Sequence, residues 1–493
     1  MSTFKENSIN ICEDILSGQF IDNAWIPSNS KRRLPVLDPY RETFIAEVAC
    51  GDPADVDAAV AAARRALPGW RATPGAHRSR YLTSIAMGLE VRRGALTKLS
   101  CRNNGKPLAE ASQDLDDAIA CYRYYAEAAV ALGERQGTLE EAVSPELIAR
   151  RYWDSIGVVG LITPWNFPLV TSAWKLAPAL AAGCTVVFKP SEVTPLPERV
   201  LAEIATEAGL PPGVFNLVQG DGECIGSPLS RHPDIDKLSF TGSNLVGEAV
   251  MRAAAQGVRP VSLELGGKSP ILVMEDADLT LARDLVIAGI CGNAGQMCSA
   301  TSRLLVHQSL ADDLYAAVDA AMAELRMGDP LLAETDMGPL VSATQRDRVE
   351  SYLALAEEEG LNTETPVIEV PEHGFFVAPR LYRDVPTISR LWQEEIFGPI
   401  LCAHRVSDDA EAIALANDSD FGLAATVIAG DPDRAEFIAK RLEAGNVWCN
   451  SEQVAPPQGS WGGMKHSGIG RELGTAGLEA YLEIKRITCP SSG

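Results

Sequence analysis

Long apolar runs are missing from this 493-residue chain. The most apolar window, Leu176 to Phe188, is too short to span a bilayer and is interrupted by Pro178 and Gly183. Met1 to Phe20 has no basic start leading into an apolar core, so no secretory leader is read there. Positive charge is in short supply: 43 Lys and Arg stand against 66 Asp and Glu, a net charge of −23. That balance argues against nucleic acid or an anionic membrane as a main partner. It leaves room for a small anionic cofactor, because helix N-termini and backbone amides bind phosphate locally. The cysteines number eleven, an odd count, and no two are spaced CxxC. Neither a zinc site nor a disulfide framework is indicated, and no metal is expected. A reducing, cytoplasmic compartment is the default expectation. Fixed-period repeats and low-complexity tracts are absent as well.

What is present is ordinary soluble composition, 46% apolar and 22% charged, on a chain long enough for two or three domains. Asp52 to Ala66 is Ala-rich and helical, with Asp52 and Asp55 placed to suit the helix dipole. Gly75 to Asn103 reads as one or two helices and Leu108 to Leu132 as another, carrying Tyr122, Tyr124 and Tyr125 as core. Gly137 to Trp153 breaks this pattern as an excursion or hairpin. From Gly157 the chain alternates. Strands are read at Gly157–Ile162, Thr185–Lys189, Val214–Val218, Lys237–Phe240 and Val261–Leu265. Helices are read at Ala173–Ala182, Pro197–Ala208 and Ser243–Ala255. This spacing is that of a parallel, doubly wound α/β sheet. A second α/β series runs from Pro270 to about Asn446.

Several short stretches carry chemistry. Asn293–Ala300 holds Cys298 behind Gly295 and reads as a tight turn entering a helix. There the macrodipole would favour a thiolate nucleophile; the alternative is one more buried cysteine. Glu264 sits in an apolar strand, either as a general base of raised pKa or as a carboxylate satisfied by backbone amides. Asn166, after the Gly157–Ile162 strand, can donate to a developing oxyanion, while Trp165, Phe167 and Trp174 line a pocket or pack in the core. The Phe240–Gly247 turn, with Gly242 and Ser243, can hold a pyrophosphate or be a plain strand-to-helix connection. Lys189 and Glu192 end a strand, as a ribose site or a solvated pair. A carboxylate at that place would repel a 2′-phosphate, which favours NAD over NADP.

Together these pieces closely resemble the aldehyde dehydrogenase superfamily. The matching stretches are Thr163–Pro168, Lys189–Glu192, Phe240–Ser243, Glu264–Lys268, Gly295–Cys298, Glu395–Pro399 and Gly468–Arg471. Gln296–Arg303 and Ser460–Gly463 look most like the betaine and amino-aldehyde branch. The resemblance implies an α/β aldehyde dehydrogenase fold in three parts: a doubly wound, Rossmann-like NAD-binding domain (1–136 and 154–265), an α/β catalytic domain (266–472) and a small β oligomerisation element (137–153 and 473–493). A homodimer or homotetramer follows from the same likeness. Implied roles are Cys298 as nucleophile, Asn166 with the Cys298 amide as oxyanion hole, Glu264 as base, and Lys175 with Glu483 as a proton route. NAD would lie against Ile162, Thr163, Trp165, Lys189, Glu192, Gly242, Ser243, Glu395 and Phe397.

Members of the amino-aldehyde branch enclose a cationic ammonium in aromatic faces. Trp174 and Trp461 stand in place for this, but Phe167 replaces a common Tyr, Gly292 a common Trp, and Asn446 a small or aliphatic residue. The expected substrates are ω-amino or trimethylammonio aldehydes. The alternatives are betaine aldehyde itself, or a broad or neutral and aromatic aldehyde range. An acyl-CoA-forming relative is disfavoured by Glu264, and a non-catalytic protein by the intact Cys298, Asn166 and Glu264. Cys298→Ala should abolish turnover while NAD still binds, because a thioester needs the sulfur. Turnover within a few-fold of wild type, read from reduced nicotinamide absorbance, would overturn the mechanism.

Overall fold

The computed structural model describes residues 16–28, 30–140 and 146–490. Most of the stretch read for a leader, and residues 141–145 of the excursion, lie outside the described residues. The β-branched runs pair as expected. One eight-stranded sheet has the order Ala24–Pro27, Gly18–Ile21, Phe215–Leu217, Thr185–Lys189, Val158–Ile162, Lys237–Thr241, Val261–Glu264, Gly468–Ile469. Its five inner strands are parallel and its edges antiparallel. The chain starts this parallel set at Val158–Ile162, builds outward on one side to Phe215–Leu217, and then resumes on the other side with Lys237–Thr241. Strand order reverses there, which opens a crevice at the carboxyl ends of the central strands.

Alternation along the strands assigns side chains to two faces. Val186 and Phe188 pack with Leu82, Leu115 and Leu176 from the helices Gly75–Val91, Leu108–Glu134 and Pro168–Ala182. Val187 turns the other way, onto Val56 and Val60 of the helix Pro53–Ala72. That helix starts where Asp52 was read. The Asp52 carboxylate accepts from the Ala54 and Asp55 amides, and Asp55 bonds back to the Asp52 amide, so two orphan donors are satisfied reciprocally. Tyr122 and Tyr125 are core, and Tyr124 packs edge-on to Tyr125 at 5.0 Å.

The second sheet has six parallel strands in the order Arg380–Tyr382, Ile400–Val406, Arg303–His307, Pro270–Val273, Ala424–Ile428, Asn446–Cys449. It has its own core. The stretch expected to belong to this part, 266–472, does not all stay with it. Gly468–Ile469 pairs antiparallel with Leu263 and Glu264, because the positive φ of Gly468 brings its backbone flush against Leu263. A third sheet joins Thr138–Leu139, Leu147–Ser155 and Leu482–Pro490, in register from Leu482 opposite Ser155 to Pro490 opposite Leu147.

The packing of Gly75–Val91 on Leu108–Glu134 depends on one close approach. A Cβ on Gly75 would overlap the Ala129 carbonyl oxygen. Gly75→Ala should therefore destabilise by roughly 1–3 kcal/mol, as overpacking does. Thermal unfolding followed by circular dichroism checks this, and an unchanged midpoint would mean the helices part at no cost.

Candidate active site

Backbone geometry decides where Cys298 sits. The helix Leu279–Cys291 is started by Asp278, whose carboxylate accepts from the Thr280 and Leu281 amides. Beyond its end Asn293, Ala294 and Gly295 all take positive φ, at 46°, 53° and 73°. A Cβ on Gly295 would overlap the Gly398 backbone, and one on Gly267 the Cys298 carbonyl. Both positions need glycine for the approach. The loop bearing Cys298 is thus clasped between the stretch after Glu264 and the Glu395–Pro399 stretch. Side-chain amides lock it. Asn293 Nδ2 donates to the Asn166 carbonyl at 3.1 Å and to the Gln296 carbonyl at 3.3 Å. Asn166 Nδ2 donates to the same Gln296 carbonyl at 2.9 Å, and Gln296 Oε1 accepts from the Val341 amide at 2.9 Å.

Glu264 ends its strand buried, and neither carboxylate oxygen has a protein partner. The reading in which backbone amides satisfy it is therefore not what the fold does. A Cβ on Gly462 would lie 2.9 Å from Glu264 Oε1, so the loop bearing Trp461 closes over it. Burial drives this carboxyl well above the usual range, with the Glu472 charge adding and Lys175 and Arg471 opposing.

The crevice at the strand ends gathers the expected cofactor residues. Ile162 stands in register between Lys189 and Phe240, and the Thr163 amide donates to the Lys189 carbonyl at 3.2 Å. Lys189 Nζ meets Glu192 Oε2 at 3.0 Å. The Gly242 amide donates to the Glu264 carbonyl at 3.1 Å. Ser243 precedes the helix Asn244–Ala255 without spending its hydroxyl on a cap. The buried hydroxyls of Thr163 and Thr241 have no protein partner. Trp165 meets Phe397 edge-on at 5.3 Å, and Glu395 Oε1 accepts from the Gly267 amide at 3.0 Å.

The sequence profile described as the aldehyde dehydrogenase family matches residues 25–487. The chain belongs to the aldehyde dehydrogenase family. It is 43% identical over 477 residues to the chloroplastic betaine aldehyde dehydrogenase of Beta vulgaris, covering 95% of each chain. It is 44% identical over 477 residues to the peroxisomal aminoaldehyde dehydrogenase 2 of Pisum sativum, again over 95% of each. The crystal structure of betaine aldehyde dehydrogenase from Staphylococcus aureus in complex with NAD+ superposes with a TM-score of 0.93 at 37% identity, covering 98% of this chain and 97% of that one.

Two expectations are corrected in this aldehyde dehydrogenase. No helix begins at Cys298. Residues 296–302 are irregular and run into the strand Arg303–His307, because the left-handed turn has already spent the helical direction. No dipole lowers the thiol. Burial instead pushes it up to about 12, with the Glu395 and Glu264 carboxylates adding and the Ser299 and Cys298 amides opposing. The second correction is Glu483. It is exposed, on the strand Leu482–Pro490 opposite Asp154. Lys175, fully buried on Pro168–Ala182, pairs instead with Glu472, whose Oε1 also accepts from Ser239 Oγ at 3.2 Å. Glu472 was legible only as the residue that directly follows the Gly468–Arg471 stretch.

The aromatic residues also gain a member. Trp174 and Trp461 lie 5.2 Å apart at 56°, and Trp448 adds a third face 6.1 Å from Trp461. Trp448 lies two residues along the strand from Asn446, hence on the same face. Phe167 presents its ring to Lys106 Nζ, 3.8 Å from the centroid. A Cβ at Gly292 would touch nothing within 4 Å, so space is open there. Asn446 Nδ2 points to the Gly462 and Leu423 carbonyls at 3.4 and 3.5 Å. Glu110, unread in the sequence, accepts from the Asn293 amide at 2.9 Å, and burial pushes its carboxyl up to about 7.

A thiol held up by burial and by two carboxylates stays protonated at neutral pH. In the cofactor-free enzyme, modification of Cys298 by iodoacetamide should rise about tenfold per pH unit from 7 to 10, as the thiolate fraction does. Peptide mass mapping at each pH checks it, and a plateau below pH 8 would show that the thiol is not raised.

Proposed function

We propose that this aldehyde dehydrogenase uses NAD to oxidise small ω-amino or trimethylammonio aldehydes to their carboxylic acids. The observation that carries the catalytic reading is Glu264, buried beside the Cys298 loop with both oxygens free of protein partners. A buried carboxylate is left unpaired at a cost, and a reaction it serves is the physical reason to keep it so.

The residues of the crevice fit NAD. Lys189 and Glu192 would hold the adenosine ribose, and Glu192 would repel a 2′-phosphate. The uncommitted Ser243 hydroxyl and the first amides of Asn244–Ala255 would hold the pyrophosphate. Glu395 would take the nicotinamide ribose, with Trp165 and Phe397 beside it and Ile162, Thr163 and Gly242 forming the floor. NAD, when bound, supplies the acceptor for the hydride.

The chain's own residues do the rest. Cys298 Sγ bonds to the aldehyde carbon as its thiol proton passes to the ionised Glu264 carboxylate and the carbonyl π pair moves onto the oxygen. An amide nitrogen carries two hydrogens, so Asn166 can keep its bond to Gln296 and offer the other to the oxygen as charge develops, alongside the Cys298 amide. Once the carbon has lost its hydride, a thioester remains on Cys298. Glu264 takes a proton from the water that attacks it, the C–S bond breaks to release the carboxylic acid, the departing Cys298 sulfur is reprotonated, and the Lys175–Glu472 pair, backed by Ser239, carries the excess proton away.

For the substrate, three tryptophan faces and an open place at Gly292 support a cation held away from Cys298. The Asn446 amide nitrogen is turned to backbone carbonyls, which leaves its oxygen as the acceptor for a primary ammonium. The relatives named betaine aldehyde and aminoaldehyde dehydrogenase point to the same class. The third sheet, with Ile484 and Ile487 exposed on Leu482–Pro490, supports a homodimer or homotetramer. The free cysteines among the described residues support a reducing, cytoplasmic setting.

One desolvated cation–π contact contributes on the order of 2 kcal/mol. 4-Aminobutanal should therefore exceed butanal in kcat/KM by at least about tenfold and should also exceed betaine aldehyde. Trp461→Ala should cost 4-aminobutanal more than butanal. If butanal equals 4-aminobutanal, the cation site is refuted; if the variant costs both equally, the tryptophan contributes packing alone.

A further inference from the structure

Away from Cys298, two segments distant in sequence bring three metal-ligating side chains together. Cys50 follows the strand Thr43–Ala49 and is buried, while Asp221 and Cys224 belong to the short turn after Phe215–Leu217. The two thiol sulfurs and an Asp221 carboxylate oxygen all lie within 4.8 Å of one another. The backbone fixes this meeting. The Cys50 amide donates to the Arg32 carbonyl at 3.0 Å, the Gly51 amide to the Gln219 carbonyl at 2.8 Å, and the Cys224 amide to Asp221 Oδ1 at 2.7 Å. The cluster already draws a positive group: Arg32 Nη1 donates to Cys224 Sγ at 2.8 Å and Nη2 to Asp221 Oδ2 at 2.9 Å.

We propose that Cys50, Asp221 and Cys224 form a binding site for a thiophilic divalent cation of the zinc type, with the Arg32 guanidinium giving way to it. Two thiolates and a carboxylate are zinc ligands, and water completes the tetrahedron. Thiolates select zinc-like ions over magnesium or calcium. Metal–sulfur bonds of about 2.3 Å put tetrahedral donors about 3.7 Å apart. Side-chain rotation within the 4.8 Å spacing reaches that value. Arg32 can leave because its side chain is 57% exposed, and exposed ion pairs are weak. As metal enters, each thiol releases its proton to solvent, so two thiolates and one carboxylate hold the dication. The two cysteines lie 174 positions apart, which is why no CxxC-type spacing announces them. The site adjoins the adenosine end of the crevice, since a Cβ on Gly226 would lie 3.7 Å from Lys189 Cδ. It does not depend on which aldehyde is oxidised.

The test uses the full chain carrying Cys298→Ser and Cys489→Ser, which removes the nucleophile and an exposed thiol, in a non-thiol reductant. Cadmium chloride is titrated and the thiolate-to-cadmium absorption in the near ultraviolet is read, with zinc chloride as competitor. One saturable equivalent is expected. Adding Cys50→Ser or Cys224→Ser should weaken it at least tenfold, and Asp221→Asn should weaken it as well. Arg32→Ala, which alters no buried side chain, should tighten it at least threefold by removing the competing cation, and it keeps the test open if Cys50→Ser does not fold. An unsaturable band, unchanged binding in Cys224→Ser, equal loss in Cys449→Ser, or weaker binding in Arg32→Ala overturns the site. So does a Cys50–Cys224 disulfide that, once reduced, binds no cadmium.

Discussion

The approach of Gly295 to Gly398 is the constraint on which the active-site geometry depends. Three consecutive residues in left-handed space carry the chain out of the helix Leu279–Cys291, and the glycine lets them lie directly on the Glu395–Pro399 stretch. Gly267 repeats the device from the other side, against the Cys298 carbonyl. Cys298 is therefore positioned by backbone contact with two stretches that come from different parts of the chain. Asn166, on the first sheet's crevice, reaches the same loop through the Gln296 carbonyl. A flexible loop would hold none of these three relations together.

Around this point the protein buries charge at a density that only paired or reactive groups justify. Lys175 is matched to Glu472, and Lys106 to Asp114 at 2.5 Å. Glu264 is matched to nothing, and the repulsion it feels from Glu472 is added to its burial. Glu395 is steadied by one amide and pushed up to about 7, chiefly by burial. Both carboxylates in turn raise the Cys298 thiol. The titrations of Glu264, Glu395 and Cys298 are thus linked, so the charge of one shifts the others.

The parallel sheet was legible because Val158–Ile162 and Thr185–Phe188 are apolar or β-branched runs, and Lys237–Thr241 alternates polar with apolar residues, with helices between the strands, and that order admits few arrangements. The helix starting at Asp52 was legible from its cap chemistry. The strand ends then brought Ile162, Thr163, Lys189 and Glu192 to one crevice, as doubly wound order requires. The reading failed where distant segments meet. Cys298 looked like a helix start because a small-residue turn preceded it, yet Gly398 captures that turn and no helix follows. Glu483 looked like the partner of Lys175, yet its strand pairs with Leu147–Ser155 and leaves it in solvent. Glu472 is buried against Lys175 only because Gly468–Ile469 crosses over to the first sheet.

Local chemistry by itself determined the parallel strands of the first sheet, the capped helix start at Asp52, the motif stretches and their family, since each depends on residues within a few positions of one another. Tertiary structure alone decided that Glu264 has no partner, that Trp448 joins Trp174 and Trp461, that Glu110 holds the Asn293 amide, and that Cys50 meets Cys224. Those facts depend on pairs separated by tens to hundreds of residues. The physical reason is that burial, and with it the protonation of a thiol or carboxylate, is set by whatever the fold packs around the group, and neighbours in sequence do not carry that information.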